Sequence, residues 1–393
     1  MVGEALMNTY GDRSVTLVKG EGCWLWDSSG KKYLDSLSGI AVCGLGHGHG
    51  AITSALAEQA SKLNHCSNFF DIPGQRELAE QLCAISGMSK VFFGNSGAEA
   101  NEAAIKIARL YGKNRNIKTP TVIVMDNAFH GRTIATLSAS GSRKVQAGFE
   151  PLVAGFVRAP FNDLDALKKI AENNPNICAV LVEPIQGEGG IVVPADNYLS
   201  DLREICSQND WLLMLDEVQT GNARTGEYFC YQHSKILPDV ITTSKGLGNG
   251  VPIGACLAGD QAADIFNPGN HGSTFGGNPL SCAAALAVLK VIHKEDLMSR
   301  AEKIGNRITS KLKHELCDVE HVQDIRGLGC MVGIQLDRPC KSLFSQALES
   351  GLIINVTADY VVRLLPPLIM TDEETDILVS ILSPLIKKFK HDL

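Results

Sequence analysis

Through the middle of this 393-residue chain, short apolar runs alternate with segments whose apolar residues recur at helical spacing. Residues 91–93, 121–125, 178–182, 212–215, 240–243 and 255–258 are predicted strands. Several are apolar at every position rather than every second one, as parallel strands are when both sheet faces are covered. Between the third and fourth, Leu199, Leu202, Ile205 and Cys206 mark one face of a helix over 198–208. Repeated strand–helix pairs predict the α/β class, with a large domain built on a mostly parallel sheet. The two ends read differently. Residues 15–35 alternate around the turn glycines Gly20, Gly22 and Gly30, which predicts a small antiparallel element near Trp24. After about residue 290 the pattern is a helix, strands at 331–336 and 361–365, and a C-terminal helix. A second, smaller α+β domain drawn from both termini is expected, dividing the chain at 1–50, 51–291 and 292–393.

Composition narrows the class without naming a function. With 45% hydrophobic and 20% charged residues the chain can bury a large core, which argues against disorder. A formal charge of −7 excludes a dominant nucleic-acid-binding role, which needs a basic face. No block of like charge offers a membrane anchor, and no uninterrupted apolar run reaches spanning length. Met1 to Ala5 lack a basic-then-apolar leader, so the expected compartment is cytoplasmic. The twelve cysteines are scattered, without a CxxC pair. Cys178, Cys206, Cys256 and Cys282 sit in apolar runs, which favours reduced core thiols over a disulfide framework.

The candidate chemistry collects at predicted strand ends, where α/β sheets bind ligands. Asp216 closes one buried strand, and Lys245 follows the next, 29 residues on. An amine and a buried carboxylate so placed suit an aromatic, phosphorylated aldehyde: the lysine can form a Schiff base and the acid can keep the ring nitrogen protonated. That pair points to pyridoxal 5′-phosphate chemistry on amines. Ser96, Gly97 and Ala98 lie in a small-residue turn between a strand and a helix, which can cradle a phosphate or simply cap the helix. Phe129 could stack on a planar ring and Arg132 could take a carboxylate, although a loop Phe is more often core and an Arg more often a solvated charge. Glycine-rich turns carry Glu183 and Glu188 after one strand, and Asp216 and Glu217 after the next. His47 and His49 lack a third ligand at metal spacing, so no metal is expected.

Six stretches, in order, resemble the class III pyridoxal-phosphate aminotransferases of fold type I: NSGAEANE at 95–102, AFHGRT at 128–133, EPIQGEGG at 183–190, DEVQTG at 216–221, SKGLGNGVPIGA at 244–255 and GSTFGGNPL at 272–280. The likeness runs from Asn8–Gly11 to Leu365–Pro367. It implies a mostly parallel seven-stranded sheet in the large domain, with pyridoxal 5′-phosphate as cofactor. Lys245 would bond the cofactor and move the substrate proton, and Asp216 would face the ring nitrogen. Gln219 would lie near the ring hydroxyl, with Val218 and Phe129 on the ring faces. Ser96, Gly97 and Ala98 would hold the phosphate. Thr274 would reach the phosphate of a neighbouring subunit, which implies a homodimer with shared active sites. Arg132 and Ser273 match substrate-contacting positions. Glu188 and Arg363 match the family's pair in which a glutamate masks and releases an arginine.

Within the family the likeness is nearest to members acting on acetylornithine. It implies transfer from N2-acetyl-L-ornithine to 2-oxoglutarate, in arginine biosynthesis. Ile40, where ornithine-specific members carry tyrosine, and Gly276, where 4-aminobutyrate-specific members carry alanine, favour the acylated donor. Succinylornithine, succinyl-diaminopimelate, ornithine, 4-aminobutyrate and a glutamate-1-semialdehyde aminomutase activity stay open. Departures from the family pattern fall at Gly50, at Asn222 with Ala223, and at Ser244 and Gly246 on either side of Lys245.

Overall fold

Seven strands form the central sheet of the computed structural model, which describes residues 5–10 and 13–389. Met1 to Glu4, on which the leader reading rests, and Gly11 in the first family-like stretch lie outside the described residues. The strand order is Lys90–Gly94, Gly254–Ala258, Val240–Thr243, Leu212–Asp216, Ile177–Val182, Thr121–Met125 and Phe156–Ala159. Gly254–Ala258 runs antiparallel to both neighbours, and the other four pairings are parallel. The α/β class with a mostly parallel seven-stranded sheet is therefore what the chain adopts. All six expected strands lie in it. Phe156–Ala159 was missed because it is a short edge strand whose Arg158 faces solvent.

Two-sided burial explains the unbroken apolar runs. Val122, Val124, Leu212 and Met214 pack with Ala104, Ile107 and Ala108 of the helix Gly97–Asn114. Their chain neighbours Ile123, Met125, Leu213 and Leu215 belong to the other core, with Leu202 and Cys206 of the helix Tyr198–Gln208. Successive strand residues point to opposite faces, so each run must be apolar at every position to fill both cores.

The termini build two further sheets. Leu17–Glu21, Trp24–Asp27 and Lys32–Asp35 form an antiparallel meander, and Leu352–Ile353 adds to its last strand in parallel. Val322–Leu328, Met331–Leu336, Val361–Leu364 and Asn355–Thr357 form an antiparallel sheet in that order. Val322–Leu328 escaped the pattern because three of its residues are exposed. The helix Asp372–Lys388 starts with a capping box. Thr371 Oγ1 accepts from the Glu374 amide at 3.1 Å and Glu374 Oε2 accepts from the Thr371 amide at 2.9 Å. The second Glu374 oxygen accepts from Trp24 Nε1 at 2.7 Å, joining the last helix to the first sheet.

Cys178, Cys206, Cys256 and Cys282 are buried, and burial pushes each thiol up to about 12. His47 and His49 have structural partners: His47 Nε2 lies 2.8 Å from Asp35 Oδ2, and His49 Nδ1 accepts from the Ala51 amide at 3.3 Å, capping the helix Gly50–Ala60. No helix among the described residues is long and apolar enough to cross a membrane.

Leu213, fully buried in a central strand, tests the two-sided packing. Leu213→Ala should cost about 3 kcal/mol, read as a lower urea midpoint at unchanged slope. A loss below about 1 kcal/mol would mean that this packing is not what holds the strand.

Candidate active site

Two neighbouring parallel strands deliver the central pair. Leu212–Asp216 ends in Asp216, and Val240–Thr243 leads through Ser244 into a 3₁₀ turn, Lys245–Leu247. Lys245 has a φ of +48°, a left-handed conformation that a side-chain-bearing residue keeps only where its surroundings enforce it. Those surroundings are present. Asn222 Nδ2 donates to Thr243 Oγ1 at 2.9 Å and to the Ser244 carbonyl at 3.0 Å, and Ser244 Oγ donates to the Ile253 carbonyl at 2.7 Å. One departure from the family pattern, Asn222, thus sits directly behind the lysine.

A third strand, Lys90–Gly94, runs into the helix Gly97–Asn114. Ser96 is its N-cap and accepts from the Glu99 amide at 3.2 Å. The amides of Gly97 and Ala98 fall in the first turn, where helix N–H groups have no intrahelical acceptor and the dipole favours an anion. A Cβ on Gly97 would lie 2.6 Å from Val218, so only glycine lets the helix start approach that side chain.

One cleft of about 420 Å³ gathers most of the expected residues. Ser96, Gly97 and Ala98 line it, with Asp216, Val218, Gln219 and Lys245. Phe129 and Arg132 line it too, the Arg132 guanidinium lying 5.6 Å from the Phe129 ring centre. A second cavity of about 720 Å³ shares Phe129, Arg132 and Lys245 and adds Glu188 and Ile40. Ser273 and Thr274 lie elsewhere, lining a hollow with His65, Asn68 and Phe69. Ser273 Oγ accepts from Asn95 Nδ2 at 3.1 Å, while Thr274 is exposed.

Asp216 is buried and its carboxylate is fixed by three donors. Oδ2 accepts from Asn101 Nδ2 at 2.7 Å and lies 2.8 Å from His130 Nδ1, and Oδ1 accepts from the Val218 amide at 3.1 Å. Asn101 is itself held, accepting from Thr242 Oγ1 at 2.6 Å and donating to the His130 carbonyl at 2.8 Å. His130 Nε2 is buried with no hydrogen-bond partner among the described residues. The Nδ1–H tautomer suits this arrangement, because it gives Asp216 a donor and leaves Nε2 without a proton to satisfy. Sequence reasoning passed over Asn101, His130 and Thr242. Two of them stand inside the family-like stretches, yet a buried Asn or His reads equally well as core.

Charge is balanced unevenly around the cleft. Desolvation lowers Lys245 to about 8; Glu188 opposes that shift and Arg363 adds to it. Burial raises Glu183 to about 7, and its two oxygens accept from the Phe129 amide at 3.1 Å and the Gly187 amide at 3.2 Å. Glu183 therefore ties the loop of Phe129 to the loop of Glu188, a function its sequence position did not reveal. Arg363, 1% exposed, donates to Glu188 Oε1 at 2.6 Å and to Asn355 Oδ1 at 2.7 Å. Thr357 Oγ1 donates to the Glu188 carbonyl at 2.6 Å, fixing the loop that covers the arginine.

A family model described as aminotransferase class-III matches residues 7–386. An acetylornithine aminotransferase of Nitrosomonas europaea is 56% identical over 384 residues, which span 98% of each chain. Among solved structures, an ornithine aminotransferase from Toxoplasma gondii with partial occupancy of PLP at its active site has a TM-score of 0.94 at 34% identity, covering 98% of this chain and 92% of its own. An acetylornithine aminotransferase from Elizabethkingia anophelis has a TM-score of 0.87 at 37% identity, covering 98% of this chain and 96% of its own.

The low amine pKa gives a direct test on cofactor-free protein. Covalent labelling of Lys245 should rise with pH around a midpoint of about 8, because only the unprotonated amine reacts. A midpoint near that of ordinary lysines would show that the cleft does not desolvate it.

Proposed function

The chain belongs to the class III aminotransferases, and from that premise we propose that it transfers the δ-amino group of N2-acetyl-L-ornithine to 2-oxoglutarate. The products are N-acetyl-L-glutamate 5-semialdehyde and L-glutamate, a step of arginine biosynthesis. The observation that carries this reading is the distribution of cations. Arg132 is open to a carboxylate, whereas Arg363 is already covered by Glu188 at 2.6 Å. Arg132, which lines both cavities, matches the single carboxylate of the donor. The dicarboxylate 2-oxoglutarate needs a second cation, which Glu188 supplies by moving off Arg363. Ile40 on the substrate cavity offers no acceptor to a free α-ammonium group, which favours an acylated nitrogen.

The cofactor is pyridoxal 5′-phosphate, and the residues present fit it: an amine of lowered pKa, a fixed buried carboxylate, and a helix start free to hold a phosphate. When bound, it supplies an aldehyde that condenses with amines and a cationic ring that draws electrons from the adjacent carbon. In this reading Asp216 would face the ring nitrogen, and its three donors would keep the carboxylate from turning away. The Gly97 and Ala98 amides, with Ser96 beside them, would take the phosphate. Phe129 and Val218 would pack the ring faces, and Gln219 would lie toward the ring hydroxyl. Lys245 Nζ, its pKa lowered to about 8 so that part of the population is unprotonated near neutral pH, would take the proton from the carbon that carries the transferred amine. Arg132 orients the donor by its carboxylate.

The same reading makes the protein a cytoplasmic homodimer, with Thr274 reaching the partner's phosphate site and Ser273 the partner's substrate. Support comes from the surface beside these residues. Phe69, Phe70 and Phe275 are 95%, 67% and 59% exposed, which a lone subunit would leave in water. The reading also keeps the division of the chain at residues 50 and 291.

A donor panel with 2-oxoglutarate tests the substrate: acetylornithine should exceed ornithine and 4-aminobutyrate in kcat/KM by at least about 10-fold, the scale of one buried polar mismatch. Preference for ornithine would overturn the assignment. Lys245→Ala should abolish turnover while the far-UV circular dichroism stays unchanged. Sharing of sites has its own test. Lys245→Ala and Thr274→Ala proteins, unfolded and refolded together, should recover activity above the sum of the two alone, because one hybrid site regains both residues. No recovery would mean that Thr274 serves its own subunit.

A further inference from the structure

Beside the reacting groups the chain makes a turn that L-residues disfavour. Ser38, Gly39, Ile40 and Ala41 all have positive φ, at 46°, 63°, 66° and 62°. In a row they form a left-handed helical turn, and only Gly39 adopts it without crowding between Cβ and backbone. Ile40 suits it least, because its side chain is branched at Cβ. The turn nevertheless belongs to the site: Gly39 and Ile40 line the substrate cavity, and Val42 lines the cleft of Lys245. Backbone held in this region needs surroundings that enforce it. Asp35 supplies them. It ends the strand Lys32–Asp35, is 1% exposed and lines neither cavity. Its Oδ1 accepts from the Leu37 amide at 2.9 Å and from the Ser38 amide at 2.8 Å, which sets the chain into the turn. Among the described residues no other group accepts from those two amides. Its Oδ2 lies 2.8 Å from His47 Nε2. That bond raises His47 to about 9, so near neutral pH an imidazolium donates to the carboxylate. Gly20 leaves room for the histidine, since a Cβ there would lie 2.6 Å from His47 Cβ. The ends of the segment are tied separately. Ser38 Oγ donates to the Leu365 carbonyl at 2.7 Å, and Asn249, in the loop after Lys245, accepts from the Leu45 amide at 2.8 Å.

We propose that Asp35, with His47 behind it, is a positioning residue for donor selectivity: its carboxylate imposes the left-handed turn that presents Ile40 to the donor. This rests on the function proposed above and names what sets the selectivity of that same site. In that reading Ile40 disfavours a free α-ammonium group because it offers no acceptor where water has been displaced. A side chain does so only while its backbone stays in place. A change of φ from the left-handed to the right-handed region swings the side chain off the cavity and turns peptide groups, carbonyls included, toward it. The acylated donor then loses an apolar contact, whereas ornithine loses nothing. Asp35 and His47 touch no substrate, so they act on it through the turn alone.

The test reads the ratio of kcat/KM for acetylornithine over ornithine, with 2-oxoglutarate, on the holoenzyme. Asp35→Ala should lower the wild-type ratio about 10-fold, the scale of one misplaced apolar group. The loss should lie in the KM for acetylornithine, with its kcat and the visible absorption of the bound cofactor unchanged, because Lys245 and Asp216 are left alone. His47→Ala, at a partly exposed position, should lower the ratio in the same direction by less. Adding Ala41→Gly to Asp35→Ala should restore much of the ratio, since glycine takes a φ of 62° without steric cost and needs no carboxylate to hold it there. An acid that served stability alone would not be replaced by a glycine elsewhere in the turn. A wild-type ratio in Asp35→Ala, or a double variant that stays at the level of Asp35→Ala, would overturn the inference. Where Asp35→Ala does not fold, an unchanged ratio in His47→Ala overturns it. A wild type without preference for acetylornithine would instead remove the function on which it rests.

Discussion

A carboxylate in a protein interior must find donors from the protein, because water cannot reach it. For Asp216 those donors come from parts of the chain far apart in sequence: Asn101 from a helix, His130 from the loop after a central strand, and the Val218 amide from its own turn. Each such bond to a charged group contributes about 1.5–3 kcal/mol, and an unanswered partner costs a similar amount. The strand order of the sheet is what brings them together. Leu212–Asp216 is flanked by the strand that leads to Lys245 and by the strand that leads to Glu183, so placing Asp216 also places its neighbours.

The adjacent Glu217 shows how closely position decides chemistry. Asp216 faces the cleft. Glu217 is equally buried but accepts from the Cys230 and Tyr231 amides at 3.0 and 2.9 Å and from Thr220 Oγ1 at 2.5 Å. Burial raises its carboxyl to about 7, as it does that of Glu183. Both glutamates act as staples between loops. Set on this frame are a lysine whose ammonium is weakened by desolvation and an arginine whose charge is paired with Glu188. Loop carbonyls near that glutamate are tied down as well, Gly190 and Ile191 by Arg326 and Glu188 by Thr357.

Much of this was legible in the chain. Strands apolar at every position announced a sheet covered on both faces, and Leu212–Leu215 with Ile123 and Val124 occupy such positions. Phe156–Ala159 was not legible, since an edge strand of four residues with an exposed arginine carries too little pattern. Nor was Val322–Leu328, whose outer face meets water. At the site, Lys245, Asp216, Gly97 and Phe129 stood out because they sit at strand ends or in turns. Asn101, His130 and Thr242 did not, because a polar residue in a buried helix or strand announces its partner only in three dimensions.

The sequence alone determined which elements form and where reactive side chains leave the sheet, because side-chain period, glycine placement and helix capping are local properties. Tertiary structure decided which charges meet. Glu188 and Arg363 are 175 residues apart, and only the packing of the C-terminal sheet against the glycine-rich loop joins them. Folding also lowers the pKa of Lys245, chiefly by desolvation. Electrostatic energy depends on distance and dielectric surroundings, and neither exists until the chain has folded.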